Sequence, residues 1–290
     1  MKRTLFFGIS ALLAGTLAAQ STISPALRFA YGANTGWINF RPEQPAGAGV
    51  TATEYTLAGF AYAANFGWLS LGGGSPADGV RYSNASGVDF GVNHDGAGNL
   101  SGFAYGANIG WVNFGWAGAN DPNRPRVDMF TGEFAGFAYS ANTGWINLGP
   151  GTLATTILCP DADGDAMADA WEIEHFGDTA TASVGTDADG DGQSDAAEYA
   201  AGTGPIDNAS WFRITRQSHS TDFTTVTVQF GTTGPTRLYR IEYTTDLAVR
   251  FGDCGLGAFA ADPGVITSRT LVFPSSSARF YRAVAIKPLQ

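Results

Sequence analysis

The chain has 290 residues, 44% of them hydrophobic and only 14% charged, with 39 glycines, 20 Phe, 10 Tyr and 7 Trp. Its net charge of −10, from 16 Lys and Arg against 26 Asp and Glu, excludes a basic nucleic-acid-binding surface. The Gly and aromatic content points to mainly β-structure with many tight turns.

In chain order the first feature is a leader. Lys2 and Arg3 precede an apolar run from Leu5 to about Ala18, and small residues precede Gln20. This is the pattern of a secretory signal peptide over residues 1–19, too short for a membrane span. No Cys follows it, and no later stretch approaches roughly 20 consecutive apolar residues. The expectation is an exported chain, secreted or at the cell surface, with no transmembrane segment after processing. Roughly 270 remaining residues suit two or three compact units. Cys159 and Cys254 are an even pair in an exported chain. A disulfide is allowed, and two separate thiols are the alternative.

An aromatic string then recurs four times. Starting at Phe29, Phe60, Phe103 and Phe137, it reads FAYGANTGWINF, FAYAANFGWLSL, FAYGANIGWVNF and FAYSANTGWINL. The copies are spaced by 31, 43 and 34 residues. Asn-x-Gly is a turn signal: Asn tolerates turn geometry and caps its own backbone, and Gly supplies positive φ. Segments such as "RVDMFTGEFAGFAY" add an upstream strand, so each unit is predicted to be a three-stranded antiparallel meander over 20–150. One hairpin is marginal alone, so the units must pack together. Because aromatics dominate core energetics, Trp37, Trp68, Trp111 and Trp145 are read first as packing residues. The alternative places Tyr31, Trp37, Tyr62, Trp68, Tyr105, Trp111, Tyr139 and Trp145 as exposed platforms stacking on sugar faces. Asn39, Ser70, Asn113 and Asn147 would be their polar partners. The string looks like a short repeat common in bacterial secreted and surface proteins. That resemblance covers about residues 28–149 and implies an extracellular, non-catalytic role.

Next come two acidic segments, "DADGDAMADAWE" (161–172) and "DADGDGQSDAAE" (187–198). Both place Asp at positions 1, 3, 5 and 9 and Glu at 12, the spacing of an EF-hand calcium loop. The predicted ligands are Asp161, Asp163, Asp165, the Met167 carbonyl, Asp169 through water, and Glu172. The second loop offers Asp187, Asp189, Asp191, Gln193, Asp195 and Glu198, for one or two Ca2+ ions in all. Position 6, where the loop turns sharply, is Gly192 in the second loop but Ala166 in the first. Ala at positive φ costs about 1 kcal/mol, so the first site is expected to be weaker. Short helices follow each loop. The arrangement over 159–208 resembles dockerin modules and, more closely, thrombospondin type 3 repeats, which implies a calcium-stiffened spacer over 151–208.

From about residue 209, β-rich runs such as "TTVTVQFG" and "RLYRIEYTTD" predict a C-terminal antiparallel β-sandwich over 209–290. It resembles the β-modules that close such bacterial exported proteins, where "RFYRA" is a typical ending. No nucleophile elbow, P-loop or dinucleotide fingerprint appears. His94 reads as a turn residue, His175 as helical and His219 as polar loop. Glu54, Asp89, Asp128 and Glu133 are the weak candidates for a hidden carboxylate pair. The expected function is non-catalytic: a calcium-stabilised structural or adhesive surface or extracellular-matrix protein. The alternatives are a carbohydrate-binding module and, behind it, a secreted hydrolase. The expected partner is a polysaccharide or another surface protein.

Overall fold

The computed structural model describes residues 21–43, 49–118, 120–222, 224–231, 236–273 and 278–289. The leader assigned to 1–19 lies outside the described residues. Among the described residues the chain is mainly β with two short helices, and no helix is long and apolar enough to cross a membrane.

Each aromatic string folds as a hairpin. Ile23–Gly32 pairs with Gly36–Asn39, and Thr56–Ala63 with Gly67–Gly72. Leu100–Gly106 pairs with Gly110–Asn113, and Phe137–Ser140 with Gly144–Asn147. Gly36, Gly67, Gly110 and Gly144 have φ between 70° and 87°, the left-handed position that closes a short bulged turn. The Asn of each turn acts differently from the expectation. Instead of capping its own backbone, it reaches a carbonyl in the neighbouring turn. Asn34 Nδ2 donates to Thr143 O at 3.0 Å, and Asn65 to Thr35 O at 3.0 Å. Asn108 donates to Phe66 O at 2.9 Å, and Asn142 to Ile109 O at 3.0 Å. The four bonds run head to tail around a circle.

Strand pairing follows the same circle. Asn39 lies opposite Tyr62, Ser70 opposite Tyr105, Asn113 opposite Tyr139, and Asn147 opposite Tyr31. The last pairing closes an eight-stranded antiparallel ring and removes the sheet's edges there. Ala30, Ala61, Ala104 and Ala138 point inward, cross-strand from Ile38, Leu69, Val112 and Ile146, and all eight are buried. An eight-stranded ring has room inside only for side chains, and these small aliphatics fill it. Thr35, Phe66 and Ile109, each just before its turn glycine, are buried at the turn end.

Beyond the ring the strands continue into short flanking pairs. Thr51–Ala52 pairs with Thr56–Ala63, Val92–His94 with Leu100–Gly106, and Arg126–Val127 with Phe134–Ala135. The meander expectation holds for repeats two to four. The chain bends between the two levels at glycine; a Cβ on Gly136 would lie 2.0 Å from Arg124 O. Among the described residues no strand precedes the first hairpin, and Leu153–Thr155, from beyond the fourth hairpin, pairs in that place.

The acidic loops lead into α1 (Asp169–Phe176) and α2 (Asp195–Ala201). Met167, Ala168, Trp171 and Tyr199 belong to the same hydrophobic core as the barrel. This segment is therefore packed onto the barrel, not strung between outer domains as the spacer reading had it.

The C-terminal unit is the expected sandwich. Ile214–His219, Thr225–Gly231 and Ile266–Val272 form one sheet. Leu238–Thr244 pairs with Gly252–Asp253, Phe259–Ala260 and Phe280–Ile286 in the other. Val226, Val228, Phe230, Tyr239, Ile241, Leu271 and Phe273 make its own core. Cys159 sits in the barrel's core and Cys254 against the sandwich's. Both are free thiols, so the allowed disulfide does not form; each is committed to a different core.

One buried junction ties the units together. Arg237 of the sandwich forms an ion pair with Glu54 of the second repeat at 3.5 Å, and both are almost fully buried. Arg237 Nε also donates to Tyr199 O at 3.1 Å, and the Tyr239 hydroxyl donates to Ala201 O at 2.9 Å. Burial pushes the Glu54 carboxyl above its ordinary pKa, with the Arg237 charge pulling against it.

Candidate functional site

The alternation that fills the ring with Ala and Ile turns the aromatic residues outward. Exposure of the repeat Trp side chains runs from 39% at Trp68 to 57% at Trp37, with Trp111 and Trp145 between. Tyr31, Tyr62, Tyr105 and Tyr139 are exposed as well. The first reading of the indoles as core is thus reversed: the ring is too narrow to hold them. In each hairpin Tyr and Trp lie directly cross-strand, with ring centroids 4.7–5.0 Å apart in edge-on or tilted contact. A Phe flanks each Trp at 6.0–6.5 Å.

The register arranges these residues in four equivalent rows that cross from one hairpin to the next. They are Phe29–Asn39–Tyr62–Trp68, Phe60–Ser70–Tyr105–Trp111, Phe103–Asn113–Tyr139–Trp145 and Phe137–Asn147–Tyr31–Trp37. Each row spans about 14 Å, three inter-strand steps. Asn39 Oδ1 accepts from Arg41 N at 2.9 Å, Asn113 from Gly115 N at 2.7 Å, and Asn147 from Gly149 N at 3.0 Å. Those bonds fix each amide and leave its Nδ2 to donate toward a ligand. No charged residue belongs to any row. Such a surface can stack on apolar ligand faces while offering a few neutral hydrogen bonds.

The acidic loops form a second constellation. In each, the first Asp accepts two backbone N–H groups: Asp161 from Gly164 and Ala166, Asp187 from Gly190 and Gly192. Asp169 and Asp195 accept from Ala162 and Ala188, tying each helix start to its loop. Asp163 and Asp165 accept from the residue two places on, as do Asp189 and Asp191. Ala166 adopts φ 75°, matching Gly192 at 97°, so the first loop bears the strain expected at position 6.

Oxygens of Asp161, Asp163 and Asp165 converge within 4.8 Å, and those of Asp187, Asp189 and Asp191 do likewise. Glu172 and Glu198 are both 0% exposed. Both oxygens of Glu172, one of Glu198, and one each of Asp165, Asp189 and Asp191 are buried without a hydrogen-bond partner. Burial, then the Asp165 and Asp163 charges, pushes Glu172 up to about 7. Burial, then Asp189 and Asp191, pushes Glu198 up to about 8. Unpartnered buried carboxylate oxygens facing other carboxylates are costly unless a cation is shared among them. The donors fit a hard divalent ion.

The weak catalytic candidates have structural places. Asp89 accepts from Ser83 N and Ala77 N. Asp128 accepts from Phe130 N and Thr131 N; burial raises its pKa, and those amides outweigh it and hold it low. Glu133 lines the same cavity of about 500 Å³ as Asp128, and Glu54 is at the junction. His94 is buried, His175 Nδ1 lies 2.8 Å from Trp171 O, and His219 Nδ1 lies 3.1 Å from Ser220 O.

Sequence reasoning missed two residues that crowd the belt. Phe90 packs on Trp111 at 5.1 Å, and Trp116 on Trp145 at 4.7 Å. For Phe90 the signal was the 43-residue gap before the third string, which is long enough to hold extra structure; Trp116, two residues after that string, had none. Comparison with protein-family models, curated proteins and solved structures found no match.

Proposed function

We propose that the chain is an exported, non-catalytic adhesive protein of the cell surface or extracellular matrix. Its aromatic belt is the contact surface, and calcium held in the acidic loops stabilises it. One observation carries this reading: four Tyr–Trp pairs stand in solvent although the barrel core is complete without them. A contiguous exposed aromatic surface marks an interaction site. The expected partner is a polysaccharide or another surface protein.

The calcium part rests on the buried, unpartnered oxygens of Glu172 and Glu198 above three converging Asp oxygens in each loop. Asp161, Asp163, Asp165 and Glu172 would hold one ion, and Asp187, Asp189, Asp191 and Glu198 the other. The Met167 and Gln193 carbonyls, with Asp169 and Asp195 through water, would complete the two sets. Because α1 and α2 share the barrel core, metal in these loops would stabilise the whole first unit.

The test is retention of residues 20–290 on immobilised glycans and on whole-cell surface extract, with Trp37, Trp68, Trp111 and Trp145 changed to Ala in turn. Retention lost in folded variants is expected. Full retention after all four changes refutes the belt. Calorimetry in calcium and in EDTA tests the loops, and an unchanged melting temperature removes calcium from the proposal.

A further inference from the structure

The four hairpins are close to identical, so the places where their surroundings differ carry information. Among the described residues, hairpins one and two present their Trp side chains with only the Tyr and Phe of their own repeat as ring neighbours. The third and fourth each gain an added aromatic wall. Before the third hairpin the chain folds back so that Phe90 packs on Trp111, and a groove of about 350 Å³ opens between Asn84, Ser86, Phe90, Phe103 and Trp111. After the third hairpin, Trp116 packs on Trp145, and Trp116, Asn123, Phe137 and Trp145 enclose a second groove of about 280 Å³.

Both walls are held in place by bonds that the barrel does not need. Trp116 Nε1 donates to Phe137 O at 2.6 Å, which locks the indole across the floor of its groove. In the other wall Asn84 stands at φ 53°, its Oδ1 accepting from Gly91 N at 3.1 Å. Asp89 ties the same loop down by accepting from Ser83 N at 2.9 Å and Ala77 N at 3.2 Å. A site fixed before its ligand arrives loses less entropy on binding.

We propose that these two grooves are sugar subsites, each taking neutral pyranose units of a polysaccharide. The inference rests on the belt being the contact surface and names its ligand class. Three features select the ligand. Among the described residues no charged side chain lines either groove, so an anionic or cationic ligand would enter without a counter-charge. Aromatic rings supply stacking faces, which suit the apolar C–H face of a sugar ring. Asn123 adds a neutral hydrogen-bonding group, and Asn84 and Ser86, already held by Tyr82 O, Gly91 N, Val88 N and Asp89 N, keep spare donor and acceptor capacity for sugar hydroxyls. The volumes, about 280 and 350 Å³, lie just below and at the small end of the roughly 300–1,000 Å³ range of ligand pockets, the scale of a short saccharide segment and not of a protein epitope. Four hairpins complete one ring, so neighbouring grooves face outward about a quarter-turn apart. The protein is built to hold two polymer strands, or two points of one, and gains avidity from doing so.

Isothermal titration of residues 20–290 in calcium tests this, using cello-, xylo-, manno- and laminari-hexaose as probes. Affinity gels containing the corresponding polymers, and alginate as an anionic control, run alongside. The expected result is two sites for at least one neutral probe. Phe90→Ala and Trp116→Ala are each expected to cut the count to one, and the double variant to weaken polymer retention at least tenfold. If Trp116→Ala loses its fold, Asn123→Ala tests the same groove from an exposed position. Neutral-polymer retention that survives both wall changes but is lost in Trp37→Ala overturns the grooves and leaves the belt. Stronger retention by alginate, or a dimer dispersed by Trp116→Ala, overturns the ligand class. No retention on any polymer or cell-surface extract overturns grooves and belt together.

Discussion

At the scale of single residues, the acidic loops give the sharpest expectations. Burial, then neighbouring Asp charges, pushes the Glu172 and Glu198 carboxyls up from 4.5, to about 7 and about 8. A raised carboxyl pKa favours the folded state while the group is protonated. That contribution is complete below about 4.5 and is lost as pH rises through 7 to 8. In EDTA the melting temperature should therefore fall between pH 5 and pH 8. With calcium the sign reverses, because the ion needs the deprotonated oxygens, so its stabilising effect should grow over the same interval. Calorimetry at four pH values measures both slopes, and a flat profile in EDTA contradicts the burial argument. Ala166 offers an independent check. Its left-handed φ of 75° costs about 1 kcal/mol, so the 187–198 loop should bind calcium about fivefold more tightly than the 161–172 loop. Ala166→Gly should close most of that gap in a calcium titration. Two equal affinities in the unaltered protein would remove strain as the cause.

At the scale of elements, the hairpin turn is the unit of assembly. Each turn Asn ties its hairpin to the one before it in the ring, so Asn108→Ala should cost about 1 kcal/mol in denaturant melts although it empties no part of the core. Gly110→Ala should cost more, since φ is 70° there and a Cβ would come within 3.3 Å of the Asn142 amide. An Asn variant as stable as the parent would mean the circle of side-chain bonds contributes nothing. These turns and the acidic loops were legible in the sequence because both are local: Asn-x-Gly and the 1-3-5-9-12 spacing act within a dozen residues. The inside and outside of the barrel were not legible. Both phases of the strand alternation are apolar, Phe-Tyr-Trp on one and Ala-Ile on the other. Which phase faces inward depends on the ring's radius, and that exists only after Asn147 meets Tyr31. Phe90 and Trp116 stood outside the repeated string and carried no pattern of their own.

For the whole molecule, the decisive contact is between residues that sequence could not pair, Glu54 and Arg237. Removing one partner of a buried ion pair costs about 3–5 kcal/mol, because the other charge stays buried alone. Glu54→Gln should therefore lower stability by about that amount and raise protease sensitivity where the sandwich joins, while Glu54→Leu with Arg237→Met should recover most of it. A loss under about 1 kcal/mol for Glu54→Gln would show that the apolar contacts of the junction hold the units without the pair. The ring itself has a different consequence, for descent. Open stacks of repeats lengthen and shorten readily by duplication and deletion, since each unit meets only its neighbours. Here Asn147 pairs with Tyr31, and Leu153–Thr155 pairs with the first strand of the first repeat, so the last unit has the first as its neighbour. A fifth copy would widen the ring beyond what Ala and Ile can fill, and a ring of three copies would leave no room for them. Each copy is free to diverge in its loops, as the third and fourth have, but the number four is inherited whole.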